Sequence, residues 1–261
     1  MQISLSLSVL LPVVAIVLVA GVVNGVAGFG FAIVGTMALA SLIAPATAVV
    51  FMILPIFAAN LTLVRELSVA DLRSCGSRFS PLILSALVGT VVGMAILESL
   101  PAAPLRVGLG VLTLGFVLTA QNVVALPGLD RAKSGCFVES TPAMVGLGSI
   151  SGVVFGGTNV GVQLIAYVRS CDLSHGLFVG VVALVFLGLN GVRVGAAGAL
   201  GLYPDLAMVG LSAAAAVPAV AGVTVGQRVR GRVSERARRR GVLILLTLIG
   251  GRLVLGGLGI A

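Results

Sequence analysis

Two glycine-rich interruptions divide the apolar runs of this chain and restrict what it can fold into. They are residues 24–31 (NGVAGFGF) and residues 151–159 (SGVVFGGTN), and glycines recur between them at a spacing of 127 residues. Without the first interruption, residues 5–43 would form one helix about 58 Å long, at about 1.5 Å per residue. The hydrocarbon core of a bilayer is only about 30 Å thick. We therefore expect the chain to break or turn back at both places.

The chain is too apolar for a soluble protein. Its 261 residues are 59% hydrophobic and 9% charged, with a mean hydropathy of +1.22, whereas soluble domains carry about 25% charged residues. We predict an all-α, polytopic integral membrane protein with about 8–10 transmembrane segments, judged from the lengths of the apolar runs. The Gly-broken segments among them either cross fully or are re-entrant. The expected location is the plasma (cell) membrane, with several passes.

The basic residues are concentrated in one segment. Seven of the sixteen Lys and Arg residues lie between Arg228 and Arg240, between two apolar runs. This distribution predicts a cytoplasmic loop that obeys the positive-inside rule and contacts anionic membrane lipid. It excludes a nucleic-acid partner, because the excess charge is confined to this loop. The same orientation places Cys75, Cys136 and Cys171 on the cytoplasmic side, where we expect free thiols.

The sequence also indicates an internal duplication. We divide the chain into a first transmembrane repeat, residues 1–125, a cytoplasmic linker, residues 126–140, and a second transmembrane repeat, residues 141–261. The glycine pair at 89 and 93 recurs at 222 and 226, and Asn60 recurs as Asn190. The basic loops fit the positive-inside rule best with five segments in each repeat. An odd number predicts two homologous halves with inverted topology, the architecture that many transporters use for alternating access.

The two interruptions predict a binding site for a small anion. Non-helical backbone inside a membrane is tolerated against protein or a wet cavity, and a helix that restarts after a break points its positive N-terminal dipole at that cavity. An alternative is that the glycines only let helices cross closely, and that the polar side chains only join helices. The candidate substrate-binding residues are Asn24, Gly28, Gly30, Asn60, Ser151, Gly156, Gly157, Thr158, Asn159, Gln163 and Asn190.

Charged residues inside the apolar runs are few. Arg193 follows Asn190 in an apolar run, and we expect its side chain to extend to the outer interface; attraction of an anion is the alternative. All eight acidic residues fall in loops or at the ends of runs, so no carboxylate proton relay is evident. With one histidine and three scattered cysteines, the chain is predicted not to be an enzyme, and we expect no cofactor and no metal.

At these residues the chain resembles the sulfite exporter TauE/SafE family of membrane permeases. The resemblance covers nearly the whole chain and depends on residues 21–30 (GVVNGVAGFG), residues 148–157 (GSISGVVFGG), Asn60 and the glycines at 89 and 93. It implies transport of sulfur-containing or organic anions, such as sulfite, sulfoacetate or sulfonates, often outward.

From the residues and the resemblance we predict a secondary membrane transporter that exports such an anion by alternating access. Two alternatives are an anion channel and a non-catalytic membrane assembly partner. The oligomeric state stays open, a homodimer being one option.

Overall fold

The computed structural model describes residues 7–64, 79–97, 99–120, 141–161, 164–165, 168 and 175–260. Within these ranges the regular structure is helical, with no β-strand. The predicted linker, the three cysteines and Gln163 lie outside the described residues. The helices are α1 (Leu7–Ala27), α2 (Phe31–Ala40), α3 (Pro45–Phe51), α4 (Ile53–Val64), α5 (Ser80–Leu97), α6 (Ala102–Ala120), α7 (Thr141–Thr158), α8 (His175–Ala199), α9 (Leu206–Ala214), α10 (Ala216–Val229) and α11 (Glu235–Gly257).

Six helical stretches among the described residues are long and apolar enough to cross a membrane. They are Leu10–Ala27, Pro45–Val64, Ser80–Leu97, Phe178–Ala199, Leu206–Arg232 and Arg236–Gly257. Two further apolar helices, Phe31–Ala40 and Ala102–Leu118, are shorter. At about 1.5 Å per residue, the ten residues of α2 reach only about halfway across a hydrocarbon core. The predicted all-α, multi-pass membrane architecture is confirmed.

Glycines allow the helices of the two predicted repeats to pack closely against each other. The most extensive contacts join α5 to α7, α1 to α10, α6 to α11 and α4 to α8, and each of these pairs takes one helix from each repeat. A Cβ added at Gly21 would lie 3.0 Å from the Cα of Gly222, and one added at Gly89 would lie 3.2 Å from the Cα of Gly152. Small residues at helix crossings are the usual way to bring backbones together in lipid.

The first interruption breaks the helix where the sequence predicts, but the second does not. Helix α1 ends at Ala27 and α2 begins at Phe31. In the second repeat, α7 continues through Gly152, Gly156 and Gly157 to Thr158, and the helix is lost only at residues 159–161. The expectation of a break at the glycines of residues 151–157 is therefore wrong. These glycines pack against α5 instead, as the close-crossing alternative requires.

Candidate functional site

The first break depends on two glycines in the left-handed region. Gly28 has φ 82° and Gly30 has φ 105°, values that L side chains rarely adopt. A Cβ added at Gly28 would also lie 2.5 Å from Cγ2 of Val179 on α8. Backbone conformation and available space therefore both require glycine at position 28. The result is a three-residue connection that holds the start of α2 next to α8.

Asn24 lies in the last turn of α1, and its side chain reaches across this break to the start of α2. Its Oδ1 accepts a hydrogen bond from the backbone N–H of Phe31, the first residue of α2, at 3.4 Å. Asn24 is only 3% exposed, and its Nδ2 has no hydrogen-bond partner among the described residues. A buried amide donor without a partner is costly. Asn24 therefore satisfies one of the free N–H groups at the start of α2 and leaves a donor for another molecule.

Asn159 forms the second break and connects three helices. It is fully buried and has φ 61°, which asparagine tolerates better than most residues. Its Nδ2 donates to Oγ1 of Thr36 on α2 at 2.8 Å and to the carbonyl of Val49 on α3 at 3.0 Å. The backbone carbonyl of Val49 can only accept a hydrogen bond. The Asn159 side-chain atom that faces it is therefore the nitrogen Nδ2 and not the oxygen. The remaining atom, Oδ1, has no partner among the described residues.

The two breaks meet at a small cavity of about 20 Å³. That volume holds about one water molecule and is too small for an oxyanion with several heavy atoms. Asn60 on α4 also borders it, with its Nδ2 bonded to the carbonyl of Ile56 at 3.0 Å. No carboxylate occurs among the described lining residues, which are Asn24, Gly28, Phe29, Gly30, Phe31, Ala32, Ile33, Ile56, Asn60, Asn159, Gly161, Ile165, Val182 and Phe186.

The structure brings only part of the predicted site together. The predicted residues that border the cavity are Asn24, Gly28, Gly30, Asn60 and Asn159. Those that lie elsewhere are Ser151, Gly156, Gly157, Thr158 and Asn190, and Gln163 is outside the described residues. None of these positions shows that a ligand binds there, so the binding role of each residue stays a prediction.

The predicted residues that do not border the cavity have local contacts of their own. A Cβ added at Gly157 would lie 3.3 Å from the carbonyl of Gly93 on α5. The Thr158 hydroxyl donates to the carbonyl of Val154 at 2.5 Å and accepts from the N–H of Val160 at 3.1 Å. Asn190 donates to the carbonyl of Phe186 at 2.8 Å. These contacts define the path and the end of α7 and hold the Asn190 side chain along α8.

Arg193 does not extend to the outer interface, so that expectation is wrong. Its side chain is fully buried. It donates to Oδ1 of Asn190 at 3.3 Å and to the carbonyl of Gly156 at 3.4 Å. Its guanidinium carbon lies 5.0 Å from the ring centroid of Phe155, and Nε has no hydrogen-bond partner in the described part of the chain. The helices around α8 enclose it completely, which prevents it from reaching an interface.

Two aromatic residues beside the cavity are not identifiable from the sequence. Phe186 borders the cavity, and its ring centroid lies 5.1 Å from that of Phe155. A Cβ added at Gly161 would lie 2.5 Å from Cζ of Phe186, so the non-helical chain after Asn159 passes directly over this ring. Phenylalanine in an apolar run gives no signal that separates a site residue from an ordinary packing residue.

Part of the basic segment has a structural role at the first break. Arg230 donates through Nε to the carbonyl of Gly25 at 2.8 Å, and Arg238 donates through Nη1 to the carbonyl of Val26 at 3.2 Å. These carbonyls belong to the last turn of α1, where cations stabilise the negative end of the helix dipole. The segment is mostly helical and not the predicted loop, because α10 runs to Val229, a 3₁₀ helix covers Arg230–Arg232 and α11 begins at Glu235. It fixes the end of α1 beside the cavity.

Comparison with known proteins identifies a family. The model of a protein family described as sulfite exporter TauE/SafE matches residues 13–253. No curated protein and no solved structure matches the chain. The matched range contains both breaks, the cavity and Arg193, so the arrangement described above lies entirely within it.

Proposed function

Because this chain belongs to the sulfite exporter TauE/SafE family, and is therefore a membrane permease, we propose that it exports sulfite or a sulfur-containing organic anion such as sulfoacetate or a sulfonate. We propose that it works as a secondary transporter in the plasma membrane, by alternating access. The observation that carries this proposal is the unpaired Nδ2 of Asn24 at the cavity between the two breaks.

The groups around the cavity favour an anion over a cation. Residues 31–33, the first turn of α2, border it, and the first N–H groups of a helix have no partner inside the helix. These donors and the positive end of the helix dipole attract negative charge. Nδ2 of Asn24 adds a donor on the α1 side. No carboxylate among the described lining residues repels an oxyanion.

The small size of the cavity supports a transport cycle with moving parts. A space for about one water molecule does not admit the anion, so we propose that the anion enters only after helices separate. Glycine contacts join corresponding helix pairs: Gly21 packs on Gly222 between α1 and α10, and Gly89 packs on Gly152 between α5 and α7. This exchange of equivalent helices between the halves supports two inverted repeats, and we propose that their relative movement opens the cavity to each side in turn.

The test replaces the free donor of Asn24 and keeps its other hydrogen bond. In Asn24→Asp, one carboxylate oxygen still accepts from Phe31, while the other replaces Nδ2. Loss of a hydrogen bond to a charged group costs about 1.5–3 kcal/mol, so we expect KM for sulfite efflux from proteoliposomes to rise at least tenfold. Thr62→Ala on α4, where the hydroxyl bonds the carbonyl of Ala58, is the control and retains wild-type KM.

Two results would contradict the proposal. If wild-type protein gives no saturable efflux of sulfite, sulfoacetate or other sulfonates, the substrate class is wrong. If Asn24→Asp transports with an unchanged KM while remaining folded, the cavity between the breaks is not the binding site.

A further inference from the structure

Arg193 is a fully buried cation that lacks a compensating negative charge. The guanidinium has five N–H donors, but the structure gives it only the two hydrogen bonds to Asn190 and Gly156. No carboxylate lies within ion-pair distance of it in the part of the chain that the structure describes, and Nε has no partner there. Burying a charge is costly unless it is paired. A cation in this position is explained best by an anion that pairs with it during the working cycle.

Helix α8 places Arg193 in line with the cavity. Val179 contacts the first break at Gly28, and Phe186 borders the cavity. Arg193 follows Phe186 by seven residues, which is about two helical turns and about 10 Å along the helix. Because two turns return to the same face, Val179, Phe186 and Arg193 follow one side of α8. The cavity therefore lies next to the middle of this row, and Arg193 lies at its far end.

An aromatic pair separates Arg193 from the cavity. Phe186 borders the cavity on one side, and Phe155 packs against Phe186 with ring centroids 5.1 Å apart. Arg193 then lies over the ring of Phe155 at 5.0 Å. An anion that leaves the cavity along α8 must pass these two rings before it meets the guanidinium. The same rings prevent contact between Arg193 and the cavity in this conformation.

Arg193 lies toward the end of the protein opposite the basic segment. Arg230 and Arg238 hold the last turn of α1 beside the first break, which contacts α8 near its beginning. Arg193 lies near the end of α8, six residues before Ala199, and Tyr203 follows this end in the chain. The Tyr203 hydroxyl in turn donates to the carbonyl of Val50 at 3.4 Å. With the basic segment on the cytoplasmic side, Arg193 is on the outward part of the path.

We propose that Arg193 is a second anion-binding residue, located beyond the Phe155–Phe186 pair, that receives the exported oxyanion when the two rings separate. The inference rests on the proposed export of a sulfite or sulfonate anion and adds an intermediate position to its path. A guanidinium suits this ligand, because its N–H groups can bind two oxygens of one oxyanion in parallel. Asn190, bonded to Nη1, positions the guanidinium for that contact.

A purely structural role for Arg193 predicts a different result on substitution. If Arg193 only holds α8 against α7 through the carbonyl of Gly156, Arg193→Met must destabilise the protein. If it serves the anion, removing an unpaired buried charge in favour of an apolar side chain of similar length leaves the anion-free protein as stable as before, or more stable. The melting temperature without anion separates these two roles.

The experiment measures stability and transport together in the wild type and in three variants, Arg193→Met, Arg193→Lys and Arg252→Met. Thermal unfolding in detergent is followed by circular dichroism with sulfite or with an equal ionic strength of chloride, and sulfite efflux is measured in proteoliposomes. We expect sulfite to raise the melting temperature of the wild type. In Arg193→Met, half-maximal stabilisation should need at least tenfold more sulfite, and kcat/KM for efflux should fall at least tenfold. Arg252→Met, which replaces an exposed arginine on α11, is the matched control and should behave as wild type.

Failure of the proposed function and failure of this inference give different experimental results. A wild type that shows no saturable anion efflux refutes the proposed function, and the inference with it. A wild type that exports sulfite, together with an Arg193→Met protein that has the same sulfite dependence, refutes the inference alone. A lower melting temperature of anion-free Arg193→Met, with sulfite stabilisation intact, assigns Arg193 a structural role and also refutes it. Arg193→Lys keeps the positive charge but lacks the parallel N–H donors. We expect its sulfite dependence and its kcat/KM for efflux to lie between those of the wild type and Arg193→Met.

Discussion

Asn159 allows a quantitative test of how the second break is held. Its side chain makes two inter-helix hydrogen bonds, to Thr36 and to the carbonyl of Val49, and its backbone has φ 61°. In a membrane such bonds contribute on average about 0.6 kcal/mol each. The left-handed conformation costs an ordinary residue about 1–2 kcal/mol and glycine almost nothing. Substitutions at one position can therefore separate the side-chain contribution from the backbone contribution.

Three variants give an ordered set of stabilities. Thr36→Val removes one hydrogen bond and should lower the free energy of unfolding by about 0.6 kcal/mol. Asn159→Gly removes both bonds without backbone strain and should lower it by about 1 kcal/mol. Asn159→Ala removes both bonds and also forces alanine into the left-handed region, so we expect a loss of about 2–3 kcal/mol.

The assay is equilibrium unfolding in mixed micelles with increasing dodecyl sulfate, followed by circular dichroism. Ser41→Ala is a suitable control, because the Ser41 hydroxyl bonds only the nearby carbonyl of Ala38 among the described residues. Equal stabilities of Asn159→Ala and Asn159→Gly would refute the assignment of backbone strain. If Thr36→Val lowered the free energy of unfolding as much as Asn159→Gly does, the hydrogen bond from Asn159 to the Val49 carbonyl would contribute nothing of its own.

Two further predictions concern the ends and crossings of helices. A Cβ at Gly25 would lie 2.8 Å from the Cα of Gly226, closer than the 3.4 Å at which ordinary contact begins. Gly25→Ala should therefore lower the free energy of unfolding by about 1–3 kcal/mol in the same assay. The control is Gly108→Ala on α6, where nothing lies within 4 Å of the added Cβ, and this variant should be more stable by up to about 1 kcal/mol. Arg238→Gln weakens the cap on α1 and should lower stability by about 0.3–1 kcal/mol, less at high salt, with KM for sulfite unchanged; a changed KM would contradict a purely structural cap.

The first break is predictable from the sequence because its cause is local. Gly28 and Gly30 stand close together beside Asn24, and the apolar run around them is too long for one helix. The second break is harder, because glycines at positions 148, 152 and 156 follow the four-residue spacing of a helix crossing. The structure uses them for that crossing, and the break falls at Asn159, a residue type that allows the left-handed conformation without glycine.

The burial of Arg193 and the role of the two phenylalanines depend on which helices surround α8, and a single sequence does not specify that. An arginine six residues from the end of a long helix is as compatible with a position at the interface as with one in the interior. Phe155 and Phe186 are separated by 31 positions in the chain and become neighbours only when α7 and α8 pack. Tertiary contacts of this kind leave no periodic pattern to read.

The near absence of free volume between the two breaks has a consequence for bioenergetics. Protons cross membranes rapidly along files of hydrogen-bonded water, and a space that admits about one water molecule interrupts any such file. In this conformation the cavity is too small to hold a proton-conducting file of water between the breaks. A cell could then keep many copies in its membrane without discharging the electrochemical gradient on which it depends.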